Sequence, residues 1–336
     1  MHTIGTYTIN NEPVYLFRIT NRSGSYVELT NWGARWITAC IPDKNGKLAN
    51  VLAGYDDLKD YLTDEYYMGT TIGRFANRIA NASFTIDNVK YNLEANDGRH
   101  SNHGGTSGSH RKLWQWEELP DGVRFMLDSP DGEGGYPGNI HISVEYRWSE
   151  ENSLTIRYWG TTDKKTYLNL TNHAYFNLSG TTNKITKHQL TVPTEWMLDT
   201  TPECIPTGKI VHIAGTPFDF TSGKFIGKDL YADDSQLKYN KGYNHCYVLR
   251  RTALDEKVCA AQLNDPETGR RLTIETDLPG VLLYTAGYYK NPDTAVCLET
   301  QFFPDTSSHS HFPSCMLSPG EEYKQQTIYK FSIEYK

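Results

Sequence analysis

The sequence has no excess of positive charge, no long apolar run and no secretory signal. Its 33 Lys and Arg against 40 Asp and Glu give a net charge of -7, which excludes a basic field for nucleic acid or an anionic membrane. No stretch approaches the roughly 18 apolar residues of a membrane-spanning helix, and the N-terminus lacks the basic and apolar regions of a signal peptide. We therefore expect a cytoplasmic protein with neither a nucleic-acid nor a membrane partner.

The cysteines and histidines lack the spacings of disulfide or metal frameworks. The six cysteines are scattered and never form Cys-x-x-Cys, which excludes a zinc ribbon and favours free thiols. Histidines come close together at His100 and His103 and again at His309 and His311. Neither pair matches a well-defined metal motif such as His-Glu-x-x-His. We therefore expect no catalytic metal.

Helical periodicity is almost absent, and only residues 55–67 offer a helical turn or two. Short runs rich in β-branched and aromatic residues end at turn residues, as in the strand pairs 83–86 with 90–94 and 139–148 with 153–161. Many short strands without intervening helices predict an all-β fold, a large antiparallel β-sandwich. No linker or repeat divides the chain, so residues 1–336 are predicted to form a single domain.

A polar stretch at residues 169–180 stands out within this pattern. As an extended segment it places one set of side chains on a single face: Asn169, Thr171, His173, Tyr175 and Asn177. Amides, an imidazole and a phenol offer many hydrogen bonds and little charge, which suits a neutral polyhydroxylated ligand. The alternative is a sheet face lined with polar residues that satisfy one another.

Three other segments concentrate polar groups. Residues 73–81 contain two arginines, whose planar donors can clamp sugar hydroxyls or a carboxylate; the alternative is a surface loop held by salt bridges. In His103-Gly104-Gly105 the glycines would let the backbone approach a ligand closely. Glu299 ends the apolar run 295–298, where burial should raise the pKa of its carboxyl towards the range of a general base. The alternative there is a Glu paired with Arg or Lys.

These motifs together resemble the motif series of the aldose 1-epimerases, the galactose mutarotases. The matching segments follow one another over almost the whole chain, at 73–79, 103–105, 129–139, 169–178, 216–220, 299–305 and 312–331. The resemblance implies a galactose mutarotase-like β-supersandwich. It also implies an isomerase that interconverts the α and β anomers of hexopyranoses such as galactose and glucose, without a cofactor or a metal.

The reaction needs a base for the anomeric hydroxyl and an acid for the ring oxygen. By the resemblance, Glu299 is the base and His173 is the acid, and His103 assists at the ring oxygen. The resemblance also assigns the holding of sugar hydroxyls to Arg74. The further substrate-binding candidates are Asn77, Tyr175, Asn244 and Gln301.

Asn244 departs from the family pattern, which usually has Asp in Gly-Tyr-Asp-His where this chain has Asn. Asn gains a donor but loses the charge, so its hydrogen bonds are weaker by roughly a factor of two. Asn102 also stands where the family tends to have Leu. The alternatives are a non-catalytic carbohydrate-binding sandwich, an epimerase with a shifted sugar preference, and a glycosidase, which needs two suitably spaced carboxylates. The expected partner is a monosaccharide, and both a monomer and a homodimer are compatible with the sequence.

Overall fold

The fold is built almost wholly from β-strands. The computed structural model describes residues 1–250 and 256–334. The strands are β1 (His2–Ile9), β2 (Glu12–Thr20), β3 (Tyr26–Thr30), β4 (Arg35–Pro42), β5 (Leu48–Asn50), β6 (Thr71–Ile72), β7 (Arg78–Ile79), β8 (Ser83–Ile86), β9 (Val89–Asn92), β10 (Ser101–Asn102), β11 (Gln115–Leu119), β12 (Gly122–Ser129), β13 (Ile140–Trp148), β14 (Ser153–Thr162), β15 (Thr166–Tyr167), β16 (Thr171–Asn172), β17 (Tyr175–Phe176), β18 (Gln189–Thr191), β19 (Trp196–Thr200), β20 (Pro206–His212), β21 (Lys224–Phe225), β22 (Asn244–Val248), β23 (Val258–Asn264), β24 (Arg270–Thr276), β25 (Gly280–Tyr284), β26 (Val296–Gln301), β27 (Met316–Leu317) and β28 (Tyr323–Ile333).

Three antiparallel sheets carry most of these strands. A nine-stranded sheet has the order β11-β12-β13-β14-β28-β24-β23-β18-β21, a six-stranded sheet has the order β17-β26-β25-β22-β19-β20, and a five-stranded sheet runs from β1 to β5. Along β14, partly and fully buried residues alternate over most of its length, as they do in a strand with one face on the core. The predicted all-β, antiparallel architecture is confirmed. The single-domain organisation stays a prediction.

Trp36 joins the three sheets in the core. Its ring lies on β4 and is 1% exposed. It packs edge-on against Phe176 of β17 at 5.7 Å and against Tyr329 of β28 at 5.2 Å between ring centroids. Such aromatic pairs contribute about 0.5–1.5 kcal/mol each beyond their buried area. Trp36 therefore helps to set how the six-stranded sheet packs against the other two sheets.

Helices are few and short. Within residues 55–67 there is a single 3-10 helix, Leu58–Thr63. The one α-helix of the described residues is α1 (Ser235–Tyr239). Asp234 caps its N-terminus by accepting hydrogen bonds from two backbone N–H groups. The sequence did not indicate α1, because five residues are too few to show a helical period. The remaining 3-10 helices are Ala80–Ala82, Ser109–Arg111, Glu133–Gly135, Ile185–Lys187, Ile226–Lys228 and Thr306–Ser308. Among the described residues, no helix has the length and apolar character needed to cross a bilayer.

The polar stretch 169–180 crosses between sheets and does not form one long strand. It contributes only β16, paired with β6, and β17, paired with β26. Residues 168–178 are all buried, and the amides of Asn169 and Asn177 donate to backbone carbonyls of neighbouring loops. The interpretation of this stretch as one ligand-facing surface is therefore wrong for these two amides. His173 and Tyr175 do face a cavity.

Candidate active site

A cavity of about 440 Å³ opens on one face of the six-stranded sheet. This volume is within the range of about 300–1,000 Å³ that is typical of small-molecule sites. The sheet forms the floor, and loop residues form the walls. The lining residues are Glu65, Tyr66, Tyr67, Asn77, Arg78, Asn96, Asp97, Gly98, Arg99, His100, Asn102, His103, His173, Tyr175, Pro202, Glu203, Cys204, Asn244, Leu282, Tyr284, Tyr288 and Glu299.

The strand register explains which side chains form the floor. Directly opposed residues of β17, β26, β25 and β22 make one row, Tyr175, Cys297, Tyr284 and Asn244. Two residues further along β26, Glu299 lies opposite Leu282 of β25. Opposed residues, and residues two apart on one strand, project from the same face. Pairing within the sheet therefore brings Glu299 to the cavity beside residues that are distant in sequence.

Glu299, His173 and His103 meet at the bottom of the cavity. Glu299 Oε1 lies 3.6 Å from His173 Nε2, and one ligating atom from each of the three side chains lies within 4.8 Å of the others. The carboxylate is 0% exposed, and neither of its oxygens has a hydrogen-bond partner among the described residues. The Glu299–His173 separation is longer than a hydrogen bond. A substrate with two adjacent oxygens can therefore contact both groups.

Burial sets the protonation of these groups. It raises the pKa of Glu299 to about 8, an effect that the charge of Arg78 partly opposes. Burial lowers the pKa of His173 to about 4 and the pKa of His103 well below its usual range. The prediction that burial raises the pKa of Glu299 is confirmed. At neutral pH the site therefore holds a mostly protonated carboxyl and two neutral imidazoles, and the Glu299–His173 pair shares one proton.

Contacts on the far side of each imidazole orient its ring. The backbone N–H of Asn77 donates to Nδ1 of His103 at 3.2 Å, so the proton of the neutral ring lies on Nε2. Asn77 thus acts on His103 through its backbone as well as lining the cavity. Nδ1 of His173 lies 3.6 Å from Sγ of the buried Cys297. Asn77 and Cys297 are therefore positioning residues for the two imidazoles.

Tyrosines pack around the two histidines. The ring of Tyr67 lies 4.6 Å from that of His103, and the ring of Tyr175 stacks on His173 at 5.0 Å between centroids. Tyr175 also donates its hydroxyl to the carbonyl of Tyr66. Its ring therefore lines the cavity, while its hydroxyl group is already hydrogen-bonded within the protein. Tyr67 was not recognised from the sequence, because its left-handed backbone (φ 59°) has no signature in the residue order.

Arg74 does not reach the cavity, and Arg78 does. The guanidinium of Arg74 donates to Ser129 Oγ and to the carbonyls of Ser129, Pro130 and Pro137, at 2.8–3.1 Å. It is 5% exposed and holds the loop 129–139 in place. Arg78 lines the cavity instead and pairs with Asp97 at 2.7 Å. The cavity position expected for Arg74 is therefore occupied by Arg78. The pattern of two arginines four residues apart does not show which one turns inwards.

Two other expectations also change. Gln301 shares the face of Glu299 on β26 but does not line the cavity. It is 0% exposed, and its amide atoms have no hydrogen-bond partner within 1–250 and 256–334. Gly104 was expected to admit a ligand close to the backbone, but a Cβ there would lie 2.1 Å from the carbonyl oxygen of Gly73. That glycine allows two loops to pack together, and it does not line the cavity.

An ion pair crosses the rim of the cavity. Arg99 Nη2 lies 2.7 Å from Glu203 Oε2, and His100 Nε2 lies 3.5 Å from the same oxygen. Both partners of the first pair are more than half exposed, so the pair stabilises the fold little. It links the loop before β10 to the turn between β19 and β20. No sequence motif connects these two segments.

The buried trio also has the chemistry of a metal site. Two imidazoles and one carboxylate are ligands that Zn²⁺ accepts, and their spacing within 4.8 Å is compatible with a shared ion. The histidines at 309 and 311 do not extend this set, because their Nε2 atoms lie 3.3 and 2.8 Å from the carbonyls of Pro206 and Gly208. The absence of a catalytic metal stays a prediction.

Comparison with known proteins assigns the chain to a family. The family model for aldose 1-epimerase matches residues 15–330. The chain belongs to the aldose 1-epimerase family. It is 37% identical to galactose mutarotase from Bos taurus over 321 residues, which cover 91% of each protein. It is 34% identical to aldose 1-epimerase from Escherichia coli K12 over 338 residues, which cover 97% of each. Membership of this family makes the chain an enzyme of the isomerase class.

Solved structures of the family have the same architecture. A C. elegans GalM/aldose epimerase homologue superimposes with a TM-score of 0.88 and 29% identity, covering 95% of this chain and 99% of that one. Galactose 1-epimerase from Lactobacillus acidophilus gives a TM-score of 0.87 and 26% identity, covering 98% of both chains. The fold is therefore the galactose mutarotase-like β-sandwich that the motifs predicted.

Proposed function

We propose that this enzyme is a cofactor-independent aldose 1-epimerase, which interconverts the α and β anomers of hexopyranoses such as galactose and glucose. The observation that carries the proposal is the 3.6 Å separation between Glu299 Oε1 and His173 Nε2 at the bottom of the cavity. One carboxylate and one imidazole are the base and the acid that the reaction needs. The names of the relatives, galactose mutarotase and aldose 1-epimerase, support the same activity.

Ring opening moves one proton onto the protein and one off it. The reactive form is the one in which the single proton of the Glu299–His173 pair lies on His173. The carboxylate of Glu299 then takes the proton of the C1 hydroxyl, and His173 gives its proton to the ring oxygen as the C1–O5 bond breaks. The product is the open-chain aldehyde, with Glu299 protonated and His173 neutral. Rotation about the C1–C2 bond turns the other face of the aldehyde to the ring oxygen. The reverse proton transfers then close the ring as the other anomer.

The surroundings of the two groups favour ring opening. Arg78 lowers the pKa of Glu299 and so helps the carboxylate to form before reaction. The Nε2 proton of His103 can donate a hydrogen bond to the ring oxygen, where negative charge develops. After opening, the carboxyl and the imidazole are both neutral, which is the state that burial favours for each. Desolvation of the pair therefore stabilises the proton arrangement of the open-chain state.

Polarimetry on freshly dissolved α-D-galactose and α-D-glucose tests the proposal, with the spontaneous rate subtracted. We expect acceleration by the parent enzyme and a loss of about 10²–10⁴-fold in His173→Ala, the range for loss of general acid catalysis. No acceleration of any common aldose, together with saturable sugar binding in calorimetry, would instead identify a carbohydrate-binding protein. The cytoplasmic location and a monomeric or homodimeric state stay predictions, and light scattering distinguishes the two states.

A further inference from the structure

Beyond Glu299 the side chains of the cavity floor change from ionisable groups to an apolar group and an amide. Passing across the sheet from the His173 side, the strands are β17, β26, β25 and β22. Glu299 of β26 is followed by Leu282 of β25, which is followed in register by Cys246 of β22. Asn244, two residues before Cys246, lines the same region of the cavity. The floor thus runs from an acid–base pair to an apolar side chain and an amide.

This order assigns the atoms of a bound pyranose, provided that the proposed function holds. His173 takes the ring oxygen and Glu299 takes the C1 hydroxyl. C1 carries one other neighbour, C2, which lies on the side of C1 opposite to the ring oxygen. With the ring turned across the sheet, away from β17, the C2 substituent lies over Leu282 of β25 and towards Asn244. These two side chains are 5% and 8% exposed, and both line this side of the cavity.

The pair Leu282 and Asn244 can take an acetamido group as well as a hydroxyl. Asn244 can hydrogen-bond a C2 hydroxyl, whereas the apolar surface of Leu282 has no counterpart on a hydroxyl. Asn244 presents one acceptor oxygen and two N–H donors. An acetamido group has the complementary set, one N–H donor and one carbonyl acceptor, and it ends in a methyl group that can pack on Leu282. The cavity volume of about 440 Å³ also accommodates a ligand larger than a simple hexose.

We propose that the enzyme takes 2-acetamido-2-deoxyaldopyranoses as substrates in addition to simple aldoses, and that Asn244 and Leu282 recognise the acetamido group. The amide of Asn244 pairs with the substrate amide, and Leu282 holds its methyl group. The chemistry at C1 is unchanged, because Glu299 and His173 act on O1 and O5 and do not involve the C2 substituent. The two side chains are specificity residues for the same anomerisation.

The first test compares N-acetyl-D-glucosamine with D-glucose and 2-deoxy-D-glucose. Exchange NMR at equilibrium gives the rate of interconversion of the anomers for each sugar with and without enzyme. We expect kcat/KM for N-acetyl-D-glucosamine to be within about tenfold of that for glucose and above that for 2-deoxy-D-glucose. Acceleration of glucose with a value for the acetamido sugar more than tenfold lower overturns this inference and leaves the proposed function standing. Equal rates for the acetamido and 2-deoxy sugars show indifference at C2 and also overturn it. Acceleration of none of the three overturns the proposed function itself.

The second test places the acetamido group. In Asn244→Asp the carboxylate lacks a donor for the substrate carbonyl, so the ratio of kcat/KM for N-acetyl-D-glucosamine to that for glucose should fall at least about tenfold. Leu282→Gln should lower the ratio in the same direction, because it replaces the apolar contact with an amide that can bond a hydroxyl. Leu282→Met keeps an apolar side chain and serves as the matched control for the ratio. A ratio that is unchanged in both folded variants, as judged by thermal melting, contradicts the assignment of the C2 substituent to these residues.

Discussion

Replacing Glu299 by Gln separates the catalytic role of the carboxyl from the cost of burying it. Gln has nearly the same shape and stays neutral at every pH, so it cannot accept the proton of the C1 hydroxyl. We expect kcat to fall by about 10²–10⁴-fold, the contribution of a general base. The carboxyl is 0% exposed and has no hydrogen-bond partner in the described part of the chain. Its ionised form is therefore destabilising in the folded protein.

The pKa of Glu299 sets the size and the sign of the carboxyl's effect on stability. Folding raises that pKa from 4.5 to about 8, so the carboxyl's contribution to stability is present below pH 4.5 and is lost as the pH rises through about 8. Between pH 5 and pH 9 the free energy of unfolding of the parent should fall by on the order of 4 kcal/mol relative to that of Glu299→Gln. The inactive variant is thus expected to be the more stable protein at alkaline pH.

Urea unfolding at pH 5, 7 and 9, followed by circular dichroism, measures the difference in unfolding free energy between variant and parent. Glu151→Gln is the matched control, because Glu151 is exposed in the turn between β13 and β14 and does not line the cavity. The control should follow the parent at each pH. A difference between Glu299→Gln and the parent that stays constant within about 1 kcal/mol from pH 5 to pH 9 would refute the reasoning from burial. Activity retained in the variant would refute the assignment of the base.

Three further predictions concern the neighbours of this carboxyl. Between about pH 4 and 8 the pair of Glu299 and His173 holds one proton. The kcat/KM measured by polarimetry should therefore be constant over this range and fall on both sides of it. A fall on the acid side centred at the ordinary imidazole value of about 6.5 would contradict the burial of His173. Arg78→Lys should raise KM about tenfold or more with little loss of stability, whereas Arg74→Met should lower the unfolding free energy by about 2–4 kcal/mol, because it leaves buried acceptors unpaired. The reverse pattern would show that their placement is wrong. Cys297→Ala should lower kcat severalfold at constant KM and shift the ¹⁵N signals of His173 that report its tautomer, and Cys297→Ser should restore both; unchanged signals in the Ala variant would argue against a positioning role.

The strands and the burial of the Glu299 carboxyl were readable from local patterns. Alternation along 153–161 and the turn before it predicted β14 to within one residue of its observed end at Thr162, because a strand with one buried face repeats every two residues. The apolar run before Glu299 correctly indicated a buried carboxyl. Residues near one another in the chain supply all of this information.

The choice between similar residues was not readable in this way. Arg74 and Arg78 stand in one loop, and the hydrogen-bond acceptors that retain Arg74 come from the distant segment 129–137. The side chain of Gln301 projects from the same face of β26 as that of Glu299, but the cavity does not extend to it. These outcomes depend on which loops cover which part of a sheet, and the covering loops come from other parts of the chain.

The residue order therefore determined the all-β class, through its periodicity, and the family motifs, whose resemblance to aldose 1-epimerases pointed to Glu299 and His173 as the acid–base pair. Tertiary packing established their separation of 3.6 Å, the opposite shifts in their pKa values and the position of Leu282 beside the base. The physical reason is that burial and strand register are properties of contacts between distant segments. His173 and Glu299 are 126 positions apart in the numbering, and the pairing of β26 with β17, the strand that follows His173, brings them into a single site.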